Sequence, residues 1–279
     1  MDTVGLGSNV AVADGLVFVG TSTQLVALDS ATGSTVWTDP YSAGADSPTV
    51  EAGVVYVPSS YGLSALDAAT GTLMWHAGIS GLDFGTPAVG GGNVYAVGTV
   101  NGFASVYAFR ASDGAHRWTT LWGVFEGTNT PSFAGGFVYV GFNNVVEAYD
   151  SATGAHLWTS RPLVGIIEEN PVAAHGLVYV GTRLSPGFYG LDGTTGATVW
   201  STTTVGSQDP AAVAGGVVYV HDWNLDSTFE ALDASTGSVL YTALLHDAPG
   251  SGPVVADGRV YVNSGGTRVR SFGLTELRP

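Results

Sequence analysis

The chain has no cysteine and no lysine; its 8 basic residues are all arginines. Without cysteine there is no disulfide framework, no thiol nucleophile and no thiolate metal site. Without lysine there is no Schiff-base chemistry and no ammonium to hold a phosphate. Charge of either sign is scarce, at 11% of residues, and 23 acids leave a net charge of -15. Such a balance repels nucleic acid and anionic membrane surfaces, so neither is an expected partner. Long apolar runs are missing as well. None approaches the roughly 20 residues of a membrane-spanning helix, so membrane insertion is not expected. No signal-peptide-like apolar stretch opens the chain.

What remains is strand and turn material: 41 glycines in 279 residues, with Val, Thr, Ala and aromatics between them. One phrase recurs through it. Ala65-Leu66-Asp67-Ala68-Ala69-Thr70-Gly71 leads to Trp75, and the same words run from Ala27 to Trp37 and from Ala148 to Trp158. Looser copies end at Trp118, Trp200 and Tyr241. The phrase reads as a hairpin. An apolar strand ends at Asp, whose carboxylate accepts backbone N–H bonds from two or three residues on. Gly supplies a positive φ, and a second strand runs to the aromatic. Recurrence at one turn makes this Asp a structural residue rather than a catalytic or metal-binding one.

Aligning the residues that open each unit, Asn9, Pro48, Pro87, Pro131, Pro171, Pro210 and Pro253, gives spacings of 39, 39, 44, 40, 39 and 43 residues. A period near 40 residues is that of a four-stranded propeller blade. In the second unit the strands are expected at Pro48 to Ala52, Val54 to Val57, Leu63 to Leu66 and Thr72 to His76. Alternating apolar residues and closely spaced turn glycines make the chain all-β. The expectation is one domain over residues 1–279, a single seven-bladed propeller of antiparallel four-stranded blades with a narrow central channel. Its last blade is expected to be incomplete, since the seventh unit ends without the Thr-Gly-x-x-x-Trp phrase.

The combined pattern, P-V-V-x-x-G-x-V-Y-V-G followed by A-L-D-x-x-T-G-x-x-x-W, resembles the PQQ-type β-propeller repeat. That repeat builds quinoprotein alcohol dehydrogenases and the periplasmic lipoprotein of the outer-membrane barrel assembly machinery. The resemblance implies that Trp37, Trp75, Trp118, Trp158, Trp200 and Tyr241 dock between neighbouring blades. The family's enzymes hold pyrroloquinoline quinone and Ca²⁺ beside an Asp base, on a longer chain with more blades. This sequence has no residue-by-residue match to that base or to those calcium ligands. The resemblance therefore carries the fold and not the activity, and the quinone is not expected.

Candidate site residues lie on the face where fourth strands lead to the next first strand and second strands lead to third. Trp122, Glu126, Asn129, Glu168, Glu169, Asn170, Asp209, His221, Trp223 and His246 collect there. A solvated polar rim is one reading; a surface that binds a ligand is the other, with Trp122 and Trp223 as stacking residues. In unit six, Asp222, Asn224 and Asp226 have the 1, 3, 5 oxygen spacing of a calcium loop, and the carbonyl of Thr228 follows at position 7. A polar surface hairpin is the alternative. The resulting expectation is a non-catalytic binding or scaffold module, extracellular, cell-surface or periplasmic, that recognises a protein or glycan through the loops of one face. The rival is a quinoprotein-like enzyme or calcium-dependent lectin with an acidic central funnel.

Overall fold

Each Val-Val-Tyr-Val-type run forms the second strand of a sheet and lies in the core. Val55 and Val57, Val138 and Val140, and Val218 and Val220 are close to fully buried. In the computed structural model, residues 10–21, 23–40, 47–59, 62–78, 83–100, 103–124, 130–167, 170–182, 187–202, 210–221, 228–245, 252–264 and 268–273 are described. They contain 28 strands and no helix. The strands form seven antiparallel sheets, each with its strands joined in chain order. The protein is a seven-bladed β-propeller whose last blade has three strands, Val254–Ala256, Arg259–Ser264 and Arg268–Gly273. Blade three carries an additional short strand, Asp83–Phe84, against Gly98 and Thr99.

Strand ends in blade two differ by one or two residues from those read in the sequence. The first strand of blade two is Thr49–Glu51. Pro48 has no N–H for the ladder, and Ala52 has turned to φ 51°. The fourth strand is Leu73–Ala77, because the Thr72 carbonyl is taken by the Asp67 amide within the turn.

Packing divides the chain into two compact units, Met1–Gly136 with Asp150–Ala155, and Phe137–Tyr149 with His156–Pro279. In the first, Phe18, Leu25, Trp37, Val55 and Leu66 form one core, and Tyr56, Leu63, Trp75, Phe84 and Phe109 another. In the second, Tyr179, Phe188, Trp200, Val218 and Leu232 pack together, as do Tyr219, Phe229, Leu245, Val260 and Val262.

The repeated phrase folds as its chemistry requires. Asp67 Oδ1 accepts the Thr70 amide and hydroxyl, both at 2.8 Å. Asp150 does the same with Thr153 at 2.8 and 2.7 Å. These bonds, the Thr hydroxyl first, hold the carboxyls of Asp29, Asp67, Asp150 and Asp192 below their usual range. Gly71 and Gly154 follow at φ 71° and 72°. Glycine is required there for a second reason. A Cβ on Gly71 would lie 2.6 Å from the Trp37 ring, and one on Gly154 would lie 2.6 Å from Trp118.

The repeat tryptophans dock as expected. Trp37 Nε1 donates to Ala68 O at 2.9 Å, Trp75 to Ala111 O at 2.8 Å and Trp118 to Ser151 O at 3.0 Å. In the second unit Trp158 donates to Gly193 O at 3.2 Å and Trp200 to Ala234 O at 3.1 Å. Each acceptor is the residue after the turn Asp or its counterpart in the following blade. Tyr241 takes the indole's place in blade six. It packs edge-on to Phe272, which stacks on Phe229 at 4.8 Å.

Candidate functional site

The most fully described stretch of the loop face is the segment that leaves blade four. Strand His156–Thr159 ends, and Ser160 to Ile167 runs beside the two-residue turn Asn143-Asn144 between the second and third strands. That short turn leaves its backbone groups open to the segment. Ser160 N donates to Val146 O at 2.8 Å, while the Val146 amide donates to Ser160 Oγ at 3.0 Å. The Leu163 amide donates to Asn144 O at 2.7 Å and the Ile167 amide to Asn143 O at 2.5 Å. Val164 N donates to the Tyr189 hydroxyl at 3.2 Å.

Leu163 and Ile167 are the segment's anchors, 6% and 2% exposed. Between them Val164 and Ile166 face outward, 63% and 43% exposed. Burying two aliphatic side chains returns about 1.5–3 kcal/mol each, so the pair is a potential contact site. Val164, Gly165 and Ile166 carry no nucleophile, acid or base. The stretch is suited to docking and not to bond chemistry. Sequence reading missed it, although Leu163-Val164-Gly165-Ile166-Ile167 is an apolar run outside the strand phrases, which was the available signal.

The polar residues assigned to this face are only partly placed. Glu126, Asn129, Glu168, Glu169, Asp209, Trp223 and His246 lie outside the described residues, as do Asp222, Asn224 and Asp226. Trp122 belongs to the strand His116–Val124, at a bulge: Leu121 pairs with Ser105 and Gly123 with Ala104, so Trp122 is the extra residue. Asn170 is half-buried after the blade-four segment. His221 ends the second strand of blade six opposite Phe229 and is 0% exposed, so it sits inside the blade and not on an accessible loop. Thr228 opens the third strand opposite Leu244. Glu230, two residues on, is buried and accepts from Thr242 Oγ1 at 3.4 Å. Among the described residues no group of three or more His, Asp or Glu side chains is arranged to hold a metal ion.

Seven repeats, the docked indoles and the Asp-Thr-Gly turns place the chain among known proteins. Residues 1–99, 59–161 and 142–276 match the family described as outer membrane protein assembly factor BamB. The chain belongs to this family of PQQ-like propellers. No curated protein matches it. Among solved structures, BamB from Moraxella catarrhalis superposes with a TM-score of 0.73 at 20% identity, covering 95% of this chain and 84% of its own. The quinohemoprotein alcohol dehydrogenase ADHIIG of Pseudomonas putida HK5 gives 0.74 at 15% identity, covering 98% and 65%. The computationally designed protein Ika8 gives 0.82 at 15% identity, covering 95% and 83%. At these identities the likeness is one of fold, shared by an assembly factor, an oxidoreductase and a designed protein alike.

Proposed function

We propose that this chain is a non-catalytic binding module of the cell envelope that holds a protein partner against the loop face of blade four. The observation that carries the reading is the exposed pair Val164 and Ile166 on a segment fixed by backbone bonds at both ends. Fixing the segment beforehand lowers the ordering entropy a partner must overcome. The family match to an outer membrane assembly factor supports a protein partner and an envelope location. The acidic balance and the absence of lysine favour a partner with a basic rim around its apolar contact.

The test is site-specific photocrosslinking in cells that make the protein natively, with the reactive side chain at 164 or, as a control, at Thr194 on the opposite hairpin turns. A discrete protein adduct from 164 and none from 194 is expected. Val164→Ser with Ile166→Ser should then remove the corresponding complex from gentle purification without changing the melting temperature. Equal adducts at both positions, or a complex that survives the double substitution, would overturn the proposal.

A further inference from the structure

A second feature lies on the hairpin-turn face, independent of the docking surface. Between the first turn of blade five and the Asp turn of blade six is an open cavity of about 260 Å³. His175, Leu177, Tyr179, Asp233 and Ser235 line it. Asp233 Oδ1 is saturated, accepting the amides of Ser235 and Thr236 at 3.0 and 2.9 Å and their hydroxyls at 2.6 and 3.0 Å. Those bonds, the Ser235 hydroxyl foremost, hold the carboxyl below its usual range. Its Oδ2 has no hydrogen-bond partner among the described residues.

The rest of the wall supplies no counter-charge. Tyr179 donates its hydroxyl to Ala234 O at 3.2 Å. Its phenol is pushed up by burial and then by the Asp233 charge. Leu177 and Ala234 are apolar. His175 also lines the cavity, exposed and at φ 53°, without a hydrogen bond or ion pair to any described residue. The corresponding turn position is Asp14, Ala52, Gly91, Gly135, Gly215 or Asp257 in the other blades, so only blade five places an imidazole there.

We propose that this cavity binds a small organic cation, a guanidinium or primary ammonium group, with Asp233 Oδ2 as its anchor and the His175 imidazole as its second polar contact. A carboxylate on the wall of a largely neutral cavity favours a cation that can donate hydrogen bonds. The protein's charge of -15 raises the local concentration of such ligands. A neutral sugar has less to gain. The Tyr179 ring is 1% exposed and offers no stacking platform.

The experiment is an NMR titration of isotope-labelled protein with N-acetylarginine amide, and separately with methyl glucoside. The guanidinium compound should give saturable shifts at the amides of Leu177, Gly216 and Ser235 below about 10 mM, and the sugar should give none. Asp233→Asn keeps the Oδ1 acceptor of the turn but removes the charge; affinity should fall about tenfold or more. His175→Gly relieves the positive φ, so the protein stays folded, and should weaken binding about threefold. Asp192→Asn, at the equivalent Asp turn of blade five, should leave binding unchanged. No saturable shift, an unchanged affinity in both Asp233→Asn and His175→Gly, or shifts caused by the sugar and not the cation would overturn the assignment.

Discussion

Tyr139 and Trp158 donate to one carbonyl, that of Gly193, over 3.0 and 3.2 Å. Ser151 O likewise receives Trp118 and Tyr95, and Ala234 O receives Trp200 and Tyr179. Among the described residues Ala68 O receives only the indole of Trp37 from a side chain, because Phe18 occupies the tyrosine position and has no hydroxyl. Trp37→Phe should therefore destabilise the protein by about 1 kcal/mol more than Trp158→Phe, since it leaves a buried carbonyl with no donor. Combining Tyr139→Phe with Trp158→Phe should cost more than the two single losses together. Urea unfolding of the four variants checks both statements, and strictly additive losses would refute the shared-acceptor account.

The turn glycines separate two constraints that usually coincide. Gly33 and Gly154 have φ 71° and 72°, but a Cβ on Gly33 meets nothing within 4 Å while one on Gly154 meets Trp118 at 2.6 Å. Gly33→Ala should cost about 1 kcal/mol, the strain of the left-handed conformation alone. Gly154→Ala should cost about 1–3 kcal/mol beyond that, because the indole must move. Similar losses at both sites would mean that the ring yields freely.

Acid should loosen the hairpins. A carboxyl with a depressed folded pKa stabilises the fold above its unfolded value of about 3.9 and loses that contribution as pH falls through the folded value. Asp29, Asp67, Asp150 and Asp192 all act in this direction. The melting temperature should fall below about pH 4, and Asp150→Asn, which retains an Oδ1 acceptor, should flatten the decline. A decline unchanged by the substitution would place the acid sensitivity elsewhere.

At the other end of the pH scale, burial and then the charge of Asp192 push the Tyr139 phenol up to about 12. The neutral phenol is the form the fold favours. Its contribution is intact below the unfolded value of about 10 and disappears as pH rises through the folded one. Following tyrosinate absorbance should show Tyr139 among the last phenols to ionise, and Tyr139→Phe should remove that late step. Ionisation of this residue together with exposed tyrosines would contradict the packing described.

Blade seven should exchange its amides fastest. It has three strands, its third strand leaves Val269 70% exposed, and among the described residues no indole docks on it. Arg270 partly compensates by donating to Leu245 O at 2.9 Å and Leu244 O at 3.4 Å. Hydrogen exchange over residues 259–273 should outpace that over residues 93–110. Equal protection would show that the blade closes as firmly as the others.

Strands, turns and docking aromatics were legible because each is written in local chemistry and repeated. Asp67 and Gly71 announce a turn wherever they recur, and Trp75 follows at a fixed distance. Candidate ligand residues were harder to read. His221 looked like a loop residue, yet it is the last residue of a strand buried within its blade. Val164 and Ile166 went unremarked because apolar residues in a β-rich chain read as core. Their exposure depends on how Ser160 to Ile167 is tied to Asn143 and Asn144, a local arrangement that no repeat specifies. The cavity beside His175 depends on residues 58 positions apart, His175 and Asp233, which no local pattern connects.

The five docked indoles all reach forward along the chain. The separations from Trp37, Trp75, Trp118, Trp158 and Trp200 to their acceptors are 31, 36, 33, 35 and 34 residues, always toward the C-terminus. A ribosome making this protein therefore releases each blade before the acceptor that seals it exists. The wait is one further blade of synthesis, a few seconds at about 5–20 residues per second. During that interval the newest indole has no bond and the next turn has nothing to cover it. Maturation should proceed as a travelling front one blade behind the exit tunnel, with each loop closure short and nearly equal in entropy. The price of failure at any step is also local: a stalled chain leaves one uncovered tryptophan, that of its last completed blade.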